Sequence, residues 1–266
     1  MKKLKIESFF VSYEIYNSKL SKSFFLKNSK NVFYLVDKNV YLKNKIINKI
    51  KKNIILIKSN ENSKNYLKIS NIIKKTLKKN IKRDSVILAI GGGVVQDISG
   101  FIASILFRGI KWNFIPTTVL AQCDSCIGGK TSINFDKYKN QLGNFYPPKK
   151  IFLDINFLKT LKPRDIKSGI GEMAHYYLVS NQNDWKFFKN NLQNLLDKNF
   201  NKKIMKLLIF KSLKIKKNFI EKDEFDRGPR LILNYGHTFG HAIEKITKYR
   251  IPHGMAVAHG INMANF

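Results

Sequence analysis

The chain has 266 residues, enough to bury a sizeable core in one large domain or two modest ones. Its net charge is +31, which first suggests a nucleic-acid partner. The surplus, however, is almost wholly Lys, spread along the chain beside heavy use of Asn, Ile, Phe and Tyr. Those residues have adenine- and thymine-rich codons, so a biased genome explains them, whereas nucleic-acid sites lean on Arg in a localised stripe. No nucleic-acid partner is expected. The opening Met1-Lys-Lys-Leu-Lys-Ile-Glu lacks an apolar core of signal-peptide length, and no run of about 18 apolar residues follows. A soluble, cytoplasmic protein with no membrane partner is expected.

In chain order, residues 31–36 read as a buried strand ending in Asp37, and residues 54–57 as a second strand. Residues 66–79 carry apolar side chains at helical spacing with a Lys-rich outer face. A third strand, 85–90, runs directly into Gly91-Gly92-Gly93-Val-Val-Gln96-Asp97 and a helix over 98–106. A glycine turn at the carboxyl end of a strand lets backbone N–H groups and a helix N-terminus face a phosphate, although this is not the GxGxxG fingerprint. Asp37, closing the earlier strand, stands either as a ribose acceptor or as a turn and cap residue. Residues 112–115 form a strand stopped by Pro116. A polar run follows, Thr117-Thr118 through Gln122, Asp124 and Gly128-Gly129-Lys130-Thr131, with Lys139-Asn140 shortly after. It contains Cys123 and Cys126, a lone CxxC read as packed filler, because neither a second pair for zinc nor a thioredoxin-like context accompanies it. Residues 151–154 read as the last strand.

After Pro163 the pattern is helical, over 166–179, 185–196, 203–222 and 233–245, and again in the apolar stretch 256–266. The expected fold is therefore an α/β domain over 1–160, a Rossmann-like parallel sheet with helices on its faces, followed by an α-helical domain over 161–266. The chain stops inside an apolar stretch without a cap or polar tail, so further C-terminal sequence is expected.

The helical part holds all five histidines. His237 and His241 are four apart and share a helix face, while His253 follows a turn-like Tyr249-Arg250-Ile251-Pro252. Two such histidines are, by themselves, ordinarily surface or satisfied core residues. Here Gly236 and Gly240 permit close approach and Asn234 adds a polar group. With no Cys nearby, the remaining metal ligand should be a carboxylate or water, an open pattern typical of catalytic metal.

Taken together, GGGVVQD, FRGI, IPTTVLAQCDSCIGGKTSIN, KNQLGNFYPPK, SGIGEMAH, LNYGHTFGHAIE and PHGMAVAHG resemble the 3-dehydroquinate synthase family of sugar-phosphate cyclases, from about Asp37 to the last residue. The resemblance implies a lyase of the shikimate pathway that closes a carbocycle with NAD and zinc or cobalt. It assigns Glu172, His237 and His253 to the metal. Asp37, Glu61, Lys64, Gly91, Gly92, Gly93, Asp97, Thr117 and Thr118 match NAD-site positions. Asp124, Lys130, Lys139, Asn140, Lys216, Arg230, Asn234 and His241 match substrate-side or catalytic positions. Arg108 matches an Arg that reaches a neighbouring subunit, which implies a homodimer. Three positions depart from the family: His175 stands where Lys is usual, at a place counted among the catalytic ones, Gln96 where Gly is usual, and Met255 where Glu is usual. A different sugar-phosphate cyclase, or a metal-dependent polyol dehydrogenase of the same superfamily, is the alternative.

Overall fold

The computed structural model describes residues 3–9, 11–17, 19–26, 31–196 and 200–266. The chain divides into two compact units, one comprising Met1–Thr117 with Gly128–Asn156 and the other Thr118–Ile127 with Phe157–Phe266. The sequence suggested a single boundary after residue 160. Instead, the chain leaves the first unit at residue 118, contributes ten residues to the second, and returns.

The first unit contains β1 (Lys3–Ile6), β2 (Tyr13–Asn17), α1 (Lys22–Leu26), β3 (Val32–Asp37), α2 (Lys38–Lys43), β4 (Ile54–Ile57), α3 (Tyr66–Leu77), β5 (Val86–Gly91), α4 (Gly93–Ile105), β6 (Lys111–Pro116), β7 (Lys130–Phe135), β8 (Tyr138–Phe145) and β9 (Lys150–Leu153). Seven strands form one sheet in the order β1-β2-β9-β6-β5-β3-β4, parallel except for the β1–β2 pair. The central strands bury nearly every residue: Phe33, Leu35, Val36, Ile87, Ala89, Ile90, Phe114 and Ile115 are at most 3 % exposed. This is why they read as continuous apolar runs rather than alternating ones. α3 is amphipathic, burying Ile69 while its lysines point outward.

From β3 the chain moves outward to β4, then crosses back so that β5 pairs with the other side of β3. The carboxyl ends of β3 and β5 therefore flank a reversal in strand order, the place where open α/β sheets bind ligands. Asp37 ends one strand and Gly91 the other.

Sequence reading did not anticipate β1, β2 or the β7–β8 hairpin. β1 and β2 are short and interleave Lys and Glu with their apolar residues, of which Ile6, Tyr13 and Ile15 are buried. In the hairpin, Thr131 and Ile133 are buried while Ser132 and Asn134 alternate with them. That period of two is hidden among polar residues, so the segment read as a ligand loop.

The second unit holds α5 (Pro163–Leu178), α6 (Gln182–Leu196), α7 (Lys202–Ile220), α8 (His237–Ile246) and α9 (His253–Ala264). Pro163 occupies the first turn of α5, where its missing N–H leaves nothing unsatisfied. The helix expected over 233–245 starts later. Pro229–Asn234 is a 3-10 turn, and Gly236 in the left-handed region (φ 78°) resets the backbone before α8 begins at His237.

Three close approaches set the helix packing. A Cβ on Gly171 of α5 would lie 2.2 Å from the Gly254 carbonyl oxygen, and one on Gly254 of α9 would lie 1.8 Å from that of Ser168. A Cβ on Gly260 would meet the Gly236 carbonyl at 2.1 Å. Only glycine allows these crossings. They place the neighbours of those glycines, Glu172, His237 and His253, side by side.

Candidate metal centre and phosphate-binding turn

Glu172, His237 and His253 converge. Each offers one ligand atom within 4.8 Å of the others. Nε2 of His237 lies 3.7 Å from Oε1 of Glu172, and Nε2 of His253 lies 3.5 Å from Oε2. The Glu172 side chain is 4 % exposed, and its buried Oε2 has no hydrogen-bond partner. A carboxylate oxygen left this way beside two imidazole nitrogens fits a divalent cation, and the Glu–His–His donor set suits zinc or cobalt with a position left open. Burial, then the nearby Asp124, raises Glu172 to about 7, and burial with the neighbouring histidines lowers His237 to about 4.

Both imidazoles are oriented from behind. Nδ1 of His253 meets Oε2 of Glu244 at 3.1 Å, and Nδ1 of His237 meets the Tyr235 carbonyl at 3.4 Å. Each acceptor keeps the proton on Nδ1, so the Nε2 lone pair is presented to the cluster. Glu244, 6 % exposed, was missed in the sequence. Its place three residues after His241 and seven after His237, on the same helix, was the available signal. His241 is exposed, one turn from His237, with its ring centroid 5.6 Å from those of His237 and His253.

A second cluster lies in the same unit. Residues Ala121–Ser125 form a single wide π-helical turn. On it, Asp124 accepts from Lys216 Nζ at 2.5 Å and from the Tyr176 hydroxyl, while its own carbonyl accepts from Lys216 at 3.1 Å. Burial alone would raise this carboxyl, but the ammonium and the hydroxyl outweigh it and hold Asp124 below its ordinary value. Tyr176, also missed, had no sequence signal beyond being an aromatic on a buried helix. Cys123 and Cys126 are packed free thiols, raised by burial, in keeping with the filler reading.

Arg230 is 3 % exposed on the 3-10 turn, with Nη1 donating to the Glu224 carbonyl; Asn234 is exposed at the end of that turn. His175 is fully buried, and burial lowers its pKa. The sequence placed it among the substrate-side residues, yet Nε2 meets the Ile232 carbonyl at 3.3 Å.

In the sheet unit, Gly91 closes β5 and Gly92 caps α4. A Cβ on Gly91 would clash with Val95 at 2.6 Å, so the turn needs glycine there, whereas one on Gly93 would meet nothing within 4 Å. The space beside Gly93 is open and the first turn of the 13-residue α4 carries no acidic side chain, which suits a phosphate near that helix start. Asp37 caps α2, accepting from the Asn39 amide at 2.7 Å. Thr117 is buried, and its amide donates to the Gly91 carbonyl at 2.9 Å. Thr118 belongs to the other unit, where its hydroxyl accepts from Ala121 N at 3.1 Å.

Lys64 gathers the remaining polar residues of the sheet unit. Its Nζ lies 2.7 Å from Asp97 Oδ2, 2.8 Å from Asn140 Oδ1, 3.2 Å from Ser132 Oγ and 3.8 Å from Glu61 Oε1. Burial raises the Asp97 carboxyl against the pull of Lys64. Asn134 donates to Glu61 at 3.0 Å. Ser132 and Asn134 were missed because the hairpin that aims them was not recognised. Lys130 is exposed at the start of β7, and Lys139 is half-buried on β8. Arg108 is exposed on a left-handed kink, with φ of 51° at Phe107, 66° at Arg108 and 113° at Gly109.

A parallel-sheet unit with a glycine turn at its strand reversal, and a helical unit that gathers one carboxylate and two imidazoles, define a class that includes sugar-phosphate cyclases. Over 98 % of this chain and 73 % of the other, the fold matches the crystal structure of 2-deoxy-scyllo-inosose synthase complexed with carbaglucose-6-phosphate, NAD+ and Co2+, with a TM-score of 0.86 at 25 % identity. Within that class the chain belongs to the 3-dehydroquinate synthase family. Residues 54–168 match the 3-dehydroquinate synthase N-terminal family and residues 169–266 the C-terminal one. The chain is 46 % identical over 215 residues to the 3-dehydroquinate synthase of Dictyoglomus turgidum, covering 80 % of this chain and 60 % of that protein. With the one of Buchnera aphidicola subsp. Cinara cedri it is 40 % identical over 267 residues, covering 97 % and 71 %. The chain thus spans about 60 % of the length of the first of these relatives. A probable glycerol dehydrogenase from Sinorhizobium meliloti shares the fold at a TM-score of 0.62 and 11 % identity.

Proposed function

We propose that the protein converts 3-deoxy-D-arabino-heptulosonate 7-phosphate to 3-dehydroquinate and inorganic phosphate, using NAD and a divalent metal ion, zinc or cobalt. The observation that carries this reading is the convergence of Glu172, His237 and His253 in a chain of this family. A bound metal would polarise a ring hydroxyl, and a bound nicotinamide would take up and return one hydride, leaving no net redox change.

The chain's own residues prepare that chemistry. Glu244 and the Tyr235 carbonyl hold the proton on Nδ1 of His253 and His237. Lys216 and Tyr176 keep Asp124 ionised, able to accept a hydrogen bond from a substrate hydroxyl. Arg230, whose Nη1 donates to the Glu224 carbonyl, is a guanidinium of the kind that recognises a carboxylate, and Asn234 lies on the same turn. His241, exposed one turn from His237, suits proton transfer near the departing phosphate. In the sheet unit, the α4 amides suit a pyrophosphate, Asp37 a ribose, and Lys130, Lys139 and the Lys64-held Asn140 an anionic substrate. We also propose a homodimer in which Arg108 reaches the neighbouring copy; its exposed, left-handed position supports this.

Protein incubated with NAD+, zinc and the heptulosonate phosphate should release inorganic phosphate without accumulating NADH. Steady NADH formation from a polyol would instead favour the dehydrogenase alternative. No phosphate release from protein shown to hold both zinc and NAD would reject the cyclase reading.

A further inference from the structure

The geometry points to His175 as a positioning residue whose imidazole ties α5 to the turn bearing Arg230 and Asn234 and braces the ring of His237. The inference deepens the proposed metal-centre reading and rests on it. The family resemblance read from the sequence implies Lys at this position, where a mobile ammonium could meet an anionic substrate. His175 is 0 % exposed, which leaves no face open to a ligand.

Its two nitrogens have unequal surroundings. The Ile232 carbonyl can only accept, so Nε2, 3.3 Å away, carries the hydrogen. Nδ1 is buried without a hydrogen-bond partner. One donor directed at one carbonyl fixes the middle of the Pro229–Asn234 turn, two residues from Arg230 on one side and two from Asn234 on the other. The ring also stands edge-on to His237, with centroids 5.5 Å apart and planes at 69°. His175 follows Glu172 by three residues on α5. One rigid side chain therefore joins the helix of one metal ligand to the ring of another and to the turn beside them. A flexible ammonium with three donors would specify none of these contacts so closely.

The test compares His175→Leu, His175→Gln and His175→Lys in the full chain, each checked for folding by circular dichroism. Zinc affinity is read by competition with a chromophoric chelator, binding of inorganic phosphate by calorimetry, and kcat and KM by phosphate release. His175→Leu should lower zinc affinity about 10- to 100-fold, in the range of other outer-shell losses, and lower kcat with KM little changed. His175→Gln, which can return an N–H donor to Ile232, should restore most of both. Parent-level zinc affinity in His175→Leu with raised KM or lost phosphate binding would overturn the inference in favour of direct substrate contact. If His175→Leu fails to fold, the glutamine and lysine variants decide: parental zinc affinity with glutamine supports positioning, and phosphate binding kept by lysine but lost with glutamine refutes it. Absence of phosphate release from the parent would count against the proposed reaction alone, because the order of zinc affinities is read independently of turnover.

Discussion

Glu244 accepts from Nδ1 of His253 and so sets which imidazole nitrogen is free to bind a cation. Glu244→Gln should weaken zinc binding about 10- to 100-fold while leaving the metal-free melting temperature nearly unchanged, as chelator competition beside thermal denaturation would show. Asp124 is a different case. It is the carboxylate partner of Lys216, itself 7 % exposed, so Asp124→Ala strands a buried ammonium. A loss on the order of 3 kcal/mol is expected in urea unfolding, whatever happens to activity. The histidine cluster was legible in the sequence because His is rare in this chain and concentrated in one stretch, whereas Glu172 was named only through the family resemblance. Tyr176 and Glu244 were not, because each acts through a neighbour and neither type is scarce. His175 was legible as a departure from its family, but its role was not; only its burial and the Ile232 carbonyl reveal that.

Glycine plays opposite parts in two elements. In α9, Gly254 lets the helix rest directly on the α5 backbone. Gly254→Ala would push a Cβ to 1.8 Å from the Ser168 carbonyl oxygen, and the helix carrying His253 must shift. Overpacking of this kind costs about 1–3 kcal/mol, and zinc affinity should fall at least about tenfold with the lost register. At the start of α4, Gly93 faces empty space. Gly93→Ala should stabilise the free protein by about 0.4–1 kcal/mol through the unfolded chain yet weaken NAD+ binding, since the methyl occupies the room a pyrophosphate would use. Equal NAD+ affinity in parent and variant, measured by calorimetry, would remove the α4 turn from the cofactor site. The central strands and most helices were readable because full burial or a helical stripe marks them. The helix start at His237 was not, because the apolar run 231–233 continues the helical pattern and only the backbone at Gly236 breaks it.

The behaviour of the whole protein in alkali follows from buried protonated groups. Burial raises Tyr176, Tyr177, Cys123 and Cys126 above their ordinary values. Groups whose folded pKa is raised contribute stability that is fully present below the unfolded pKa, about 8.5 for Cys and about 10 for Tyr, and is lost as pH rises toward the folded values. The urea midpoint should therefore fall between about pH 8 and about pH 10.5, and a flat profile would contradict this picture of the interior. The excursion of residues 118–127 has its own effect on how the molecule can be dissected. Those ten residues deliver Asp124 to Lys216 and Cys123 to the α5 backbone, although they are encoded between β6 and the hairpin. No single cut in the gene separates the halves cleanly: a fragment beginning near residue 157 would lose its acidic partner for Lys216, and one ending there would carry an orphan loop. Cassette exchange with a relative must therefore transplant 118–127 together with the helices.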